Sequence, residues 1–245
     1  MDLYPAIDLR GGRVVRLEQG DYARETTYTD DPIAVAQRFE AAGARWIHVV
    51  DLDAARSGTA TNHDVVIEIC KRVSCRVQSG GGVRDSRAAE VLLDGGVDRV
   101  VVGTAAVERP GLVDELTLSY PGRVAVGIDA RGRDVATHGW TSSTGTDLVD
   151  LAHRFDRPGV GALVVTEIGR DGMLQGPDLD QLTAVLAAVR IPVVASGGIA
   201  TADDVRALAM LEVDGRRLAG AITGRALYEG RLTVEEGIAA CSPSV

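Results

Sequence analysis

The sequence predicts a single (β/α)8 barrel spanning residues 1–245, and three observations carry that prediction. Short runs rich in Val and Ile recur along the chain, and each is followed by a helix-like stretch. Eight such units in 245 residues match the usual size of this fold. Three landmarks then recur at nearly one offset, so the second half reads as a copy of the first. "AIDLRGGRVV" (6–15) resembles "GIDARGRDVA" (127–136), which sets Asp8 against Asp129. "QSGGGVRD" (78–85) resembles "ASGGIATAD" (195–203), setting Gly80 against Gly197, and "VVGTAAVE" (101–108) resembles "AITGRALYE" (221–229), setting Gly103 against Gly224. The implied half-barrels cover about 1–122 and 123–245.

Strands are expected over 3–8, 46–50, 76–78, 99–102, 124–128, 162–166, 192–195 and 219–223. They are apolar without alternation, as parallel strands covered on both faces should be. Helices are expected over 32–42, 63–73, 87–94, 111–119, 147–155, 179–189, 202–211 and 234–240. "DDPIAVAQRF" (30–39) places Asp and then Pro at a helix start, and "TADDVRALAML" (201–211) places Thr and acidic residues in a first turn. "RVVRLE" (13–18) is an extra short strand inside the first βα connection. An open dinucleotide-binding sheet is disfavoured, because no G-x-G-x-x-G follows the first strand with an acidic residue beyond it.

Composition narrows the partners. The net charge of −9 gives no electrostatic case for nucleic acid or an anionic membrane, and 4% aromatic residues leave little for a base-stacking platform. Cys70, Cys75 and Cys241 are too few and too irregularly spaced for a disulfide framework or a zinc site. No secretory signal or long apolar run is visible, so a cytoplasmic location is expected, and the low aromatic content weakly suggests a monomer.

The repeated residues suggest chemistry. Asp8 ends strand 1 and Asp129 ends strand 5, so they should face each other across the mouth where barrel active sites gather. Partial burial raises a carboxyl pKa and suits it to proton transfer near neutral pH. Glycine loops let backbone N–H groups approach a phosphate closely. Gly81 and Gly82 with Gly103 and Thr104 would form one cradle; Ser196, Gly197 and Gly198 with Gly224 and Arg225 would form another. The inference is a small-molecule substrate with a phosphate at each end.

"VVTEIGRDGMLQGPD" (164–178) brings Thr166, Asp171 and Gly172 toward the centre. There Asp171 reads equally as an acid or base and as a turn residue. Arg16 and Arg84 could pair with phosphate or carboxylate, and Trp140 could stack on a flat ring. His48 reads as a core histidine, and His63 and His138 have no partner at metal-ligand spacing, so no metal is expected.

Over essentially its whole length the chain resembles the HisA family, the phosphoribosyl isomerases of histidine biosynthesis. The matching stretches include "PAIDLRGGRVVRLEQGDY" (5–22), "IHVVDLDAARSG" (47–58), "VQSGGGVRD" (77–85), "GWTSSTG" (139–145), "TEIGRDGMLQGPD" (166–178) and "GAITGRALYEGRLT" (220–233). The resemblance implies a cofactor-free Amadori rearrangement of the aminoaldose ProFAR to the aminoketose PRFAR, a molecule with two phosphates. It implies Asp8 as base, Asp129 or Asp171 as acid with Asp129 ranked first, and Thr166 as a positioning residue. "SGGGVR" departs from the family's usual "VGGGIR" and resembles "LSGGIRD" of the bifunctional PriA branch, as "TNHD" (61–64) resembles that branch's "SNHE". This implies a second expectation, isomerisation of phosphoribosyl anthranilate. The cyclase HisF shares the half-barrel repeat, but its "CLDV" and lysine-bearing strand are replaced here by "AIDL" and "RVVRLEQ".

Overall fold

Residues 1–242 are described by a computed structural model. Eight parallel strands form the barrel: β1 (Asp2–Arg10), β2 (Trp46–Asp51), β3 (Arg76–Gly80), β4 (Arg99–Val102), β5 (Val124–Arg131), β6 (Val160–Glu167), β7 (Val193–Ser196) and β8 (Gly220–Thr223). Each pairs with its sequence neighbours, and β8 pairs back onto β1 through Tyr4–Ile222, closing the sheet. Eight helices cover the outside: α1 (Pro32–Ala41), α2 (His63–Arg72), α3 (Ser86–Asp94), α4 (Pro110–Ser119), α5 (Leu148–Arg154), α6 (Leu179–Ala188), α7 (Ala202–Met210) and α8 (Val234–Ala240). The fold is the (β/α)8 barrel that the sequence predicts.

The starts of these helices follow local chemistry. Asp31 accepts from the Ala34 N–H with Pro32 next in the chain, so α1 begins with one orphan donor satisfied and another absent. Thr201 and Asp204 form a reciprocal capping box on α7, and Thr233 and Glu236 form one on α8.

Strand side chains divide by parity. One set, including Ile7, Leu9, Ile47, Val49, Val126, Ile128, Leu163 and Val165, packs under the helices in one large apolar cluster. The alternate set, Tyr4, Ala6, Trp46, Ala125, Ala162, Val164, Val194 and Ile222, fills the barrel interior. Both faces are therefore buried, which is why the strands read as unbroken apolar runs.

Two hairpins rise from the C-terminal ends of β1 and β5. Arg13–Glu18 pairs antiparallel with the end of β1 (Asp8 opposite Val15) and then with Asp21–Thr29. Asp134–Thr137 pairs with the end of β5 (Asp129 opposite Ala136) and then with Ser142–Asp147. Of these four segments the sequence pointed only to 13–18. Asp21–Thr29 and Ser142–Asp147 are polar with no buried face to mark them, and Asp134–Thr137 buries only Val135 and Thr137, too short an alternation to stand out.

Candidate active site

The site opens at the C-terminal ends of the strands, and the repeat explains its layout. Asp8 stands opposite Val50 in β2, and Asp129 stands opposite Thr166 in β6. With eight strands in the ring, β1 and β5 lie on opposite walls. Both carboxylates line one cavity, with Arg16, Trp140, Thr166, Asp171 and Ser196 around them. Its rim includes Gly81, Gly82, Arg84, Gly103 and Thr104 on one side and Gly224 on the other.

The glycine loops are tied to geometry before any ligand is considered. A Cβ on Gly81 would lie 2.2 Å from the Asp51 carbonyl oxygen, and one on Gly197 would lie 2.7 Å from that of Glu167. Gly82 and Gly198 would meet Ala54 Cβ at 2.4 Å and the Gly176 carbonyl oxygen at 2.2 Å. All four have positive φ, the region only glycine occupies freely. Each loop thus closes against the loop of the preceding strand. This geometry corrects one alignment: Gly81, not Gly80, is the counterpart of Gly197. Gly80 matches Ser196, since they stand opposite Val50 and Thr166 respectively.

The two aspartates sit in different electrostatic settings. Arg16, on the first hairpin, donates to Asp8 Oδ2 at 2.9 Å and to Asp171 Oδ2 at 2.5 Å. Burial pushes the Asp8 carboxyl up, Arg16 pulls it down, and neighbouring Asp171 raises it, leaving it above its ordinary value. Burial would lower Arg16, but the two carboxylates hold it above its usual range. Asp129 accepts from Trp140 Nε1 at 2.8 Å and stands opposite Thr166 in the sheet. The Trp140 bond and the neighbouring Thr166 hydroxyl favour its charged form, but burial outweighs them and raises its pKa. No cation pairs with Asp129 among the described residues.

The second cradle is small. Its cavity holds about 20 Å³, room for roughly one water. Arg225 fills part of it, donating to the Gly172 carbonyl at 2.6 Å and to Glu229 at 2.5 Å. Arg16 lies beside it, with Nη1 3.3 Å from the position of a Cβ on Gly224. The same arginine therefore touches both the carboxylates and this cradle. On the first side, Arg84 donates to the Ala55 carbonyl at 3.1 Å and lines the open cavity.

Other residues matter that the sequence did not single out. Asp51 and Glu167 end β2 and β6 at equivalent points and hold the following loops. Asp51 accepts from Ala54 N, Asn62 N and Asn62 Nδ2, and Glu167 accepts from Gly132 N, Gly169 N and Gln181 Nε2, all within 3.0 Å. Their shared place in the repeat was a usable signal. His48, expected as a core residue, lines the cavity. Among the described residues no group of three or more His, Cys, Asp or Glu side chains could hold a metal ion. Cys70 is free, and burial pushes its thiol up to about 12. No helix of the described residues is long and apolar enough to cross a membrane.

Fold and site together define a half-repeat (β/α)8 barrel with an aspartate on each of two opposite walls of its mouth. Residues 2–233 match the family described as "Histidine biosynthesis protein", and the chain belongs to that family. It is 50% identical over 239 residues to the 1-(5-phosphoribosyl)-5-((5-phosphoribosylamino)methylideneamino) imidazole-4-carboxamide isomerase of Rhodopseudomonas palustris (strain TIE-1), covering 98% of this chain and 97% of that one. Isomerases of the same name from Synechococcus sp. (strain ATCC 27144 / PCC 6301 / SAUG 1402/1) and Nitrobacter winogradskyi are each 48% identical. The first alignment covers 98% of this chain and 93% of the relative, the second 96% and 94%.

Proposed function

We propose that this protein is the isomerase of histidine biosynthesis that converts ProFAR to PRFAR by an Amadori rearrangement. The observation that carries the reading is the pairing of two partly buried carboxyls on opposite walls, one salt-bridged and one not. The relatives' named substrate bears two 5-phosphoribosyl groups. One glycine-loop set lines the main cavity and the other lines the small cavity beside it, an arrangement that suits a molecule phosphorylated at both ends.

The reaction needs an acid to open the ribose ring and a base to take the C2 proton. Asp8 fits the base, because its ion pair with Arg16 at 2.9 Å favours the carboxylate. Asp129 fits the acid, because burial without a cationic partner favours the protonated form. Asp171 is salt-bridged to Arg16 and so ranks behind Asp129 as proton donor. Thr166 stands opposite Asp129 and would hold the opened sugar beside it. No cofactor is required for this chemistry. The relatives' names support the ProFAR reading and give no specific support to phosphoribosyl anthranilate as a second substrate.

The test is to compare kcat/KM of the purified protein for ProFAR and for phosphoribosyl anthranilate. Turnover of ProFAR is expected. Binding of ProFAR without any absorbance change would overturn the reading.

A further inference from the structure

The floor of the cavity breaks the symmetry of the barrel. Register places Tyr4, Trp46, His48, Gln78 and Arg99 of the first half at the positions held in the second by Ala125, Ala162, Val164, Val194 and Gly220. One half is polar and aromatic where the other is small and apolar. Gly220 makes the room, since a Cβ there would lie 2.4 Å from the Tyr4 ring.

The polar half is wired in one direction. Arg99 is buried, with no carboxylate at ion-pair distance among the described residues. Its guanidinium donates to Gln78 Oε1 at 2.6 Å and to Tyr4 Oη at 2.9 Å, and lies 4.5 Å from the centre of the Trp46 ring. Arginine has donors only, so the Gln78 oxygen must face it. The other end of that amide, Nε2, is then a donor, and it lies 3.0 Å from His48 Nδ1. His48 Nδ1 must therefore accept, which leaves the ring proton on Nε2. No protein group bonds Nε2 among the described residues, and His48 lines the cavity.

We propose that Arg99 and Gln78 are positioning residues that lock His48 as its neutral Nε2–H tautomer, giving the cavity floor a fixed hydrogen-bond donor to a hydroxyl oxygen of the opened sugar. The donor role rests on the isomerase reading above; the tautomer does not. Burial first, then the charges of Arg99 and Arg16, press the His48 imidazole down to about 3. It therefore neither gives nor takes a proton in the working range, and its contribution is orientation alone. A plain barrel plug would need none of this, because apolar residues fill such space at no desolvation cost.

Long-range 15N–1H correlation of the imidazoles tests the lock in the unmodified protein. The chain has four histidines, so a His48→Gln sample assigns the signal. The expected result is an Nε2–H ring that does not titrate between about pH 5 and 8; an Nδ1–H or titrating ring overturns the lock. Gln78→Glu puts an acceptor where the donor was. It should flip His48 to Nδ1–H, raise its pKa and add a new ionisation to the pH profile of kcat. Arg99 and Arg16 are the charged groups that act on that ring, and neither is replaced in this variant.

His48→Leu should lower kcat about tenfold with little change in KM, the scale of one lost hydrogen bond, and His48→Gln should restore most of it. A wild-type kcat in a folded His48→Leu protein overturns the donor role. A protein inactive on ProFAR but showing the Nε2–H ring would refute the isomerase reading, and the donor role with it, while upholding the lock.

Discussion

Replacing Arg16 with Met removes the cation that two carboxylates share. The guanidinium sits 2.9 Å from Asp8 and 2.5 Å from Asp171, and the three side chains are only 12–15% exposed. Breaking one partner out of a buried pair costs about 3–5 kcal/mol, because a charge is left without compensation. Here the cavity mouth admits water, so the lower end, about 3 kcal/mol, applies. For a domain of this size that is a fall in Tm of roughly 6–12 °C.

The same change moves Asp8. Burial already raises its pKa and Arg16 opposes that, so removing Arg16 leaves burial and the like charge of Asp171 unopposed. The folded pKa rises further above the unfolded value. Stability that a raised carboxyl contributes is present at low pH and lost as pH rises through the folded pKa. The Tm deficit of Arg16→Met should therefore be larger at about pH 7 than at about pH 4. The acidic limb of kcat/KM should shift to higher pH, since the base must ionise to act. Thermal unfolding at the two pH values and a pH–rate profile, with Arg16→Lys alongside to keep the charge, check both. An unmoved limb together with equal Tm deficits would refute the shared-cation account.

Two further substitutions separate site from scaffold. Asp129→Asn should stabilise the fold near neutral pH while abolishing turnover: the raised pKa of Asp129 means the ionised form costs stability, by about 1.4 kcal/mol per pKa unit. That gain should vanish as pH falls below the usual carboxylate range, and calorimetry across pH reads it directly. Gly81→Ala should destabilise by about 3 kcal/mol or more, because the added Cβ meets the Asp51 backbone as well as the αL penalty. Gly12→Ala, with similar φ but open space around it, should cost only about 1–2 kcal/mol, and denaturant titration of both isolates the close approach.

Much of this was legible in the sequence because the physics that builds the barrel is local. Buried parallel strands leave apolar runs, and the strands and helices follow those runs. Asp8 and Asp129 were legible because the repeat marks them. The hairpin at Asp21–Thr29 was not, because its alternation carries no buried face. Hidden with it were the bridge from Arg16 to Asp171 and the bond from Trp140 to Asp129, which depend on how hairpins and the loop after β6 fold over the mouth. The run of three glycines at 80–82 carries no register of its own, and the pairing of Gly80 with Val50 and the fit of Gly81 against Asp51 fix it. His48 looked like any residue of a buried strand, although its two-residue spacing from Trp46 and Val50 places it on the inward face.

The claim at the centre is that one carboxylate, Asp8, takes the proton from the sugar. The most direct measurement is ProFAR turnover by an Asp8→Asn protein whose Tm and circular dichroism match a folded barrel. Turnover at least about 1,000-fold below wild type is expected, near the middle of the range for a lost general base. An Asp8→Asn enzyme within about tenfold of wild type would contradict the assignment.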